Sequence, residues 1–112
     1  MKNINETLKK LTRNGVLIKY DDIKRICLKY EISRLWVFGS SLNKFFNENS
    51  DIDILVEYQP DSNLTLIDEF HIQEEFMKLV NREVDLVSLN GLKNPILRKH
   101  IFNSMEIVYD HP

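Results

Sequence analysis

Cysteine is almost absent from this chain. Cys27 is the only one in 112 residues, so no internal disulfide framework exists and a reducing compartment is expected. Long apolar runs are absent too. None approaches the roughly 20 residues that cross a bilayer, and the residues after Met1 are polar rather than a signal-peptide core, which predicts a cytoplasmic protein with no membrane contact. Charge of one sign is not in excess. Fifteen Lys and Arg against seventeen Asp and Glu leave a formal charge of -2, which gives no general nucleic-acid footprint, and no direct nucleic-acid binding is expected. Internal repeats and low-complexity segments are also missing. What remains is an ordinary globular composition, 43% hydrophobic and 29% charged, long enough for one domain over 1–112 but too short for a second domain that would hold a complex substrate.

The first 32 residues read as a helical segment. Ile4, Leu8 and Leu11 form one apolar stripe, with Asn3 and Glu6 as a capping box and Asn14-Gly15 as a stop. A second helix begins after Asp21, which can cap it, and turns Ile23, Ile26, Cys27 and Tyr30 inward. Cys27 falls on that apolar side as a small buried hydrophobe. Arg34 to Phe38 is a nearly unbroken apolar strand, and Leu42, Phe45 and Phe46 fit a short helix or turn packed back on a sheet. A longer helix is expected over Leu64 to Val80, with His71 structural or exposed. Pro95 opens a last short helix, and Met105 to Tyr109 forms a final strand with Ile107 inward. Few strands and unevenly spaced helices predict an α+β fold, a small mixed β-sheet with helices packed on one face.

Two strands carry charges where apolar residues belong. In DIDILVE, Asp51 and Asp53 sit at i and i+2, so their Cα atoms lie about 6.6 Å apart and their side chains share a face. Asp85 interrupts EVDLVSL in the same way, and if that strand lies beside the first, all three carboxylates meet on the free face. Such a group repels itself unless a cation compensates it, and an oxygen-only donor set selects magnesium or manganese over zinc. The chemistry suited to it is phosphoryl or nucleotidyl transfer. Gly39-Ser40, at the exit of the preceding strand, supplies a tight turn with outward amide groups; taken alone, that corner is equally an anion site or an ordinary capped turn.

The spacing of Gly39-Ser40, ten intervening residues, Asp51-Ile52-Asp53 and a later Asp85 in VDLV resembles the signature of the DNA polymerase beta-like nucleotidyltransferase superfamily. The size and the ending ILRKHIFNSMEIVYD resemble the minimal nucleotidyltransferase (MNT) antitoxins that are paired with HEPN-domain ribonuclease toxins. The likeness spans about residues 20 to 110. It implies a palm-like nucleotidyltransferase fold in which Gly39 and Ser40 contact nucleotide phosphates. Asp51 and Asp53 would ligate two magnesium ions, and Asp85 would complete one metal site and help to deprotonate the acceptor. It further implies ATP as substrate, a HEPN toxin as partner, AMP transfer to a tyrosine of that toxin, and the role of antitoxin in a type VII-like pair. Two other functions stay open: neutralisation by binding alone, and nucleotidyl transfer to RNA ends or a small hydroxyl compound. Oligomeric state, homo-oligomers included, is open as well. Relatives often carry a basic residue directly after the Gly-Ser pair and another two positions later, where this chain has Ser41 and Asn43; the missing donors would come from Lys44, Arg82, Lys93 or Arg98.

Overall fold

A computed structural model describes residues 3–111. The elements follow in the order α1 (Ile4–Arg13), α2 (Tyr20–Lys29), β1 (Ile32–Phe38), a 3-10 turn (Gly39–Leu42), β2 (Ile52–Tyr58), α3 (Leu66–Val80), β3 (Val84–Ser88), α4 (Pro95–Ser104) and β4 (Glu106–Asp110). The four strands form one sheet in the order β3-β2-β1-β4. β1 is antiparallel to both neighbours, whereas β2 and β3 run parallel, joined by the crossover through α3.

Local chemistry sets the helix ends. Asn3 accepts from the Glu6 amide at 2.9 Å and starts α1; Gly15, at φ +85°, lets the chain leave it. α2 begins two residues earlier than its sequence suggests, after Lys19, whose side chain makes no capping bond. Asp21 and Asp22 instead sit in the first turn, where they face the positive end of the helix dipole. Thr65 and Asp68 cap α3 reciprocally, and Pro95 opens α4 behind Asn94, which accepts from the amides of Ile96 and Leu97.

Helices α1 to α3 cover one face of the sheet. Leu11, Ile23, Ile26, Ile72 and Phe76 pack there on Leu35, Val37, Ile52, Ile54, Val56, Val84 and Val108, and Cys27 is buried among them. Each such side chain contributes about 1.5–3 kcal/mol on burial. Burial also pushes the Cys27 thiol up, which makes it inert as a nucleophile. α1 is tied to β4 by Lys10 Nζ, which donates to both carboxylate oxygens of Glu106 at 2.9 and 3.1 Å; Glu106 is only 5% exposed. Alternate residues on the opposite sheet face make a second, smaller cluster. Phe38 and Leu55 meet Leu92 and Ile101, so α4 and the loop before it wall one end of the face that carries the aspartates.

β4 is shifted from its expected phase. A bulge between Leu35 and Trp36 changes the β1–β4 register, so Glu106, Val108 and Tyr109 are buried and Ile107, opposite Trp36, is half-buried on the second face. Tyr109 is fully buried and Leu42 and Phe46 pack on the core, whereas Phe45, expected to pack back on the sheet with them, is exposed, as is Phe70. His71 is exposed beside Glu74.

Candidate functional site

The site is made by strand register. β2 lies between β1 and β3, and Asp53 is opposite Phe38 on one side and opposite Asp85 on the other. Register partners project to the same face, so two residues 32 positions apart in sequence become neighbours across one strand spacing, about 4.8 Å. Asp51 stands just before β2 rather than inside it; its charge acts on Asp53, and it borders a groove that it shares with Glu74, Lys78 and Arg82. Asp51 and Asp85 are exposed and Asp53 is half-buried.

Electrostatics single out Asp53. Burial first, then the charge of Asp85, then that of Asp51, holds its carboxyl above the ordinary carboxylate range. Three acids within electrostatic reach, one of them desolvated, are costly without a compensating cation. The side chains do not converge, however: among the described residues no group of three acidic, His or Cys side chains stands ready to enclose an ion. Strand register brings Asp53 and Asp85 side by side.

Gly39 borders Asp53 directly. It sits at φ +74°, a region open to glycine, and a Cβ built on it would fall 2.5 Å from Asp53 Oδ2. The glycine thus serves two purposes, turning the chain out of β1 and leaving room for the carboxylate. Ser40 follows in the 3-10 turn and is half-exposed. Ser41 is wholly buried, and its hydroxyl donates to the carbonyl of Phe38 at 3.1 Å. It therefore locks the turn and presents nothing outward.

The four expected phosphate donors separate into two kinds. Arg82 donates to the carbonyls of Asn47 and Ser50 at 3.0 and 2.9 Å and stacks on Phe46; Arg98 donates to Leu92 O at 2.7 Å and stacks on Phe102. Both hold loops in place. Lys44 and Lys93 are exposed, Lys44 over the ring of Phe45. Asn14, read in the sequence as a helix stop, also reaches the site: its Nδ2 donates to Ser41 O at 2.8 Å and to Asn43 O at 3.2 Å. Nothing in the sequence links positions 27 and 29 residues apart.

No helix among the described residues is long and apolar enough to cross a membrane. One groove among the described residues lies away from the aspartates, between the start of α1 and β4, with Tyr20, Trp36, Met105 and Ile107 in its walls. It lacks the Asp53–Asp85 pair that strand register brings together.

Comparison with known proteins gives the same picture. A Methanocaldococcus jannaschii protein named "Putative protein adenylyltransferase MJ1217" is 31% identical over 102 residues, covering 90% of this chain and 93% of that protein. A chain in a toxin–antitoxin crystal structure with AMP-PNP superposes with a TM-score of 0.68 at 20% identity, covering 84% of this chain and 75% of its own. A chain in the complex of tri-AMPylated Shewanella oneidensis HEPN toxin with MNT antitoxin superposes at 0.61 and 18% identity, covering 90% and 73%. These two structures share the mixed sheet and helix arrangement expected from the sequence. The family model "Polymerase beta, Nucleotidyltransferase" matches residues 21–112, β1 to β4 and the three aspartates included, and the chain belongs to that family of nucleotide-binding nucleotidyltransferases.

Proposed function

We propose that this chain, as a single domain, is a magnesium-dependent protein adenylyltransferase of the cytoplasm. It moves AMP from ATP to a hydroxyl, a tyrosine's first of all, on a cognate HEPN ribonuclease toxin, and so acts as the antitoxin of a type VII-like pair. The observation that carries the proposal is the pairing of Asp53 with Asp85 beside Gly39, whose missing Cβ leaves space for the Asp53 carboxylate.

In this reading the acceptor oxygen attacks the α-phosphorus of ATP. A phosphorus–oxygen bond to the acceptor forms, the bond to the β-phosphate bridging oxygen breaks, and pyrophosphate leaves. Asp85, exposed at the edge of the sheet, takes the acceptor proton. Asp51 and Asp53 would hold two magnesium ions and Asp85 would complete one site; the all-oxygen donor set and the raised pKa of Asp53, caused by burial and its acidic neighbours, fit such a load. Magnesium, when bound, neutralises the phosphates and the departing pyrophosphate. Gly39 and Ser40 place the triphosphate against the outward amides of the turn. Support for ATP and for a toxin acceptor comes from the two structural neighbours, one with AMP-PNP and the other with an AMPylated HEPN toxin.

Transfer of radiolabel from α-labelled ATP to the co-purified partner tests the proposal. Wild type labels the partner and Asp53→Ala does not; no transfer by wild type, or equal transfer by the variant, overturns it. A second reading, neutralisation by binding alone, is favoured by the unconverged aspartates and by the buried Ser41. It requires that a folded Asp51→Ala/Asp53→Ala protein still protect cells from the toxin.

A further inference from the structure

The Gly39–Leu42 turn has little cationic help. Ser41 faces the interior, Asn43 is neutral, and Arg82 and Arg98 are bound to backbone carbonyls of Asn47, Ser50 and Leu92. Binding of a triphosphate by such a turn depends on how well its amide groups and the Ser40 hydroxyl are held in place before the ligand arrives.

Four hydrogen bonds hold the turn. Ser41 Oγ donates inward to Phe38 O, the Asn43 amide donates to Ser40 O at 3.1 Å, and Asn14 Nδ2 spans the carbonyls of Ser41 and Asn43. The Asn14 bonds are the ones that come from outside the turn. They fix one peptide plane inside the turn and the one just beyond its cap, and because C=O and N–H of a trans peptide point in opposite directions, holding the carbonyls of 41 and 43 sets the directions of the amides of 42 and 44 at the exit of the turn. Asn14 itself is firmly mounted. Its neighbours Leu11 and Val16 are each 2% exposed in the core, its own amide bonds back to Lys10 O and Leu11 O, and α1 is secured to β4 by the Lys10–Glu106 pair. Asn14 also lies outside residues 21–112, the part of the chain that matches the family model.

We propose that Asn14 is a positioning residue for nucleotide binding: α1 acts as a rigid brace that holds the triphosphate turn through the Asn14 side chain. This inference rests on the adenylyl-transfer reading above. It predicts that Asn14→Ala raises KM for ATP about tenfold, the scale of one well-placed hydrogen bond to a preorganised site, while kcat stays within about twofold. Asn14→Asp, which keeps the shape but turns a donor into an acceptor facing two carbonyls, raises KM further. Should Asn14→Ala fail to fold, Asn14→Gly carries the same test, since glycine is tolerated at a helix C-terminus. A purely structural role would lower Tm and leave KM alone. Steady-state kinetics with varied ATP, alongside thermal melts of each variant, separate the two: wild-type KM in a folded variant, or a change confined to kcat or to Tm, overturns the inference. Absence of any ATP-dependent transfer by wild type would instead overturn the proposed function.

Discussion

Alanine at Gly39 perturbs the backbone and the site together. The residue sits at φ +74°, and an L side chain in this left-handed region costs about 1–2 kcal/mol. The second effect is local. A Cβ would lie 2.5 Å from Asp53 Oδ2, and ordinary contact begins at 3.4 Å, so the carboxylate oxygen must retreat by about 0.9 Å. Misplacing a reacting or metal-binding group by about 1 Å costs about 10²-fold in rate, close to 2.7 kcal/mol of transition-state stabilisation. Gly15→Ala supplies the comparison, because Gly15 has φ +85° and nothing within 4 Å of an added Cβ. Urea denaturation should show a comparable stability loss for the two variants, with Gly39→Ala the larger. Labelled-AMP transfer by folded Gly39→Ala should fall about 10²-fold. A rate within about threefold of wild type in that variant would refute the argument that the glycine exists to accommodate Asp53.

Two further substitutions test other parts of the structure. Burial and the charges of Asp85 and Asp51 raise the Asp53 pKa above 3.8 in the folded protein, so folding is helped by its proton below that value and loses the help as pH rises through the folded pKa. In metal-free buffer, Asp53→Asn should therefore be more stable than wild type at pH 7, with the gap closing towards pH 4; a variant less stable than wild type at pH 7 would contradict this. Glu31 is a non-glycine residue at φ 55°, exposed, with its carbonyl bonded by the Gln59 amide at 2.9 Å. Glu31→Gly should relieve backbone strain and, after the entropy glycine adds to the unfolded chain, raise stability by about 0.5 kcal/mol. The urea midpoint should rise at unchanged slope, and a fall in midpoint would count against it.

Much of this was readable from residue order because the deciding interactions are local. The stripe Ile4, Leu8, Leu11 with Asn3 in front of it, the Pro95 start of α4 and the i, i+2 spacing of Asp51 and Asp53 follow from periods and caps that act within one or two turns of chain. The meeting of Asp53 with Asp85 was legible only as a condition, since parallel register depends on a crossover that no local rule fixes. The phase of β4 was misread, because Val108 is an extra residue in β4 opposite Leu35 and Trp36, and a bulge of this kind is set by pairing with β1 and not by the local apolar pattern. The Thr65–Asp68 capping box was present in the sequence as T-x-x-D and marks the true start of α3. Asn14 was legible as a cap but not as a brace, for its second function exists only after α1 and the turn have been brought together.

Ser41 changes its meaning once its surroundings are known. As a sequence feature it is a deficit, a serine where relatives often have a positive charge. In the fold it is 0% exposed and satisfies the Phe38 carbonyl at the end of β1, so an arginine there would have to break that bond and displace the turn before its guanidinium could reach water or phosphate. The neighbouring cations show the same commitment: Arg82 and Arg98 hold carbonyls and aromatic rings of their own loops. The chain has thus placed its strongest donors in the service of loop geometry, and the exposed lysines 44 and 93 remain as mobile, weakly directing charges. In the proposed adenylyl transfer, binding energy for the triphosphate would then come chiefly from cations held by the aspartates and from a rigid turn. Rigidity at that turn derives from Gly39, Ser41, Asn43 and Asn14 together, which is why substitutions at uncharged residues, and not at arginines, are expected to have the largest effect on nucleotide use in this protein.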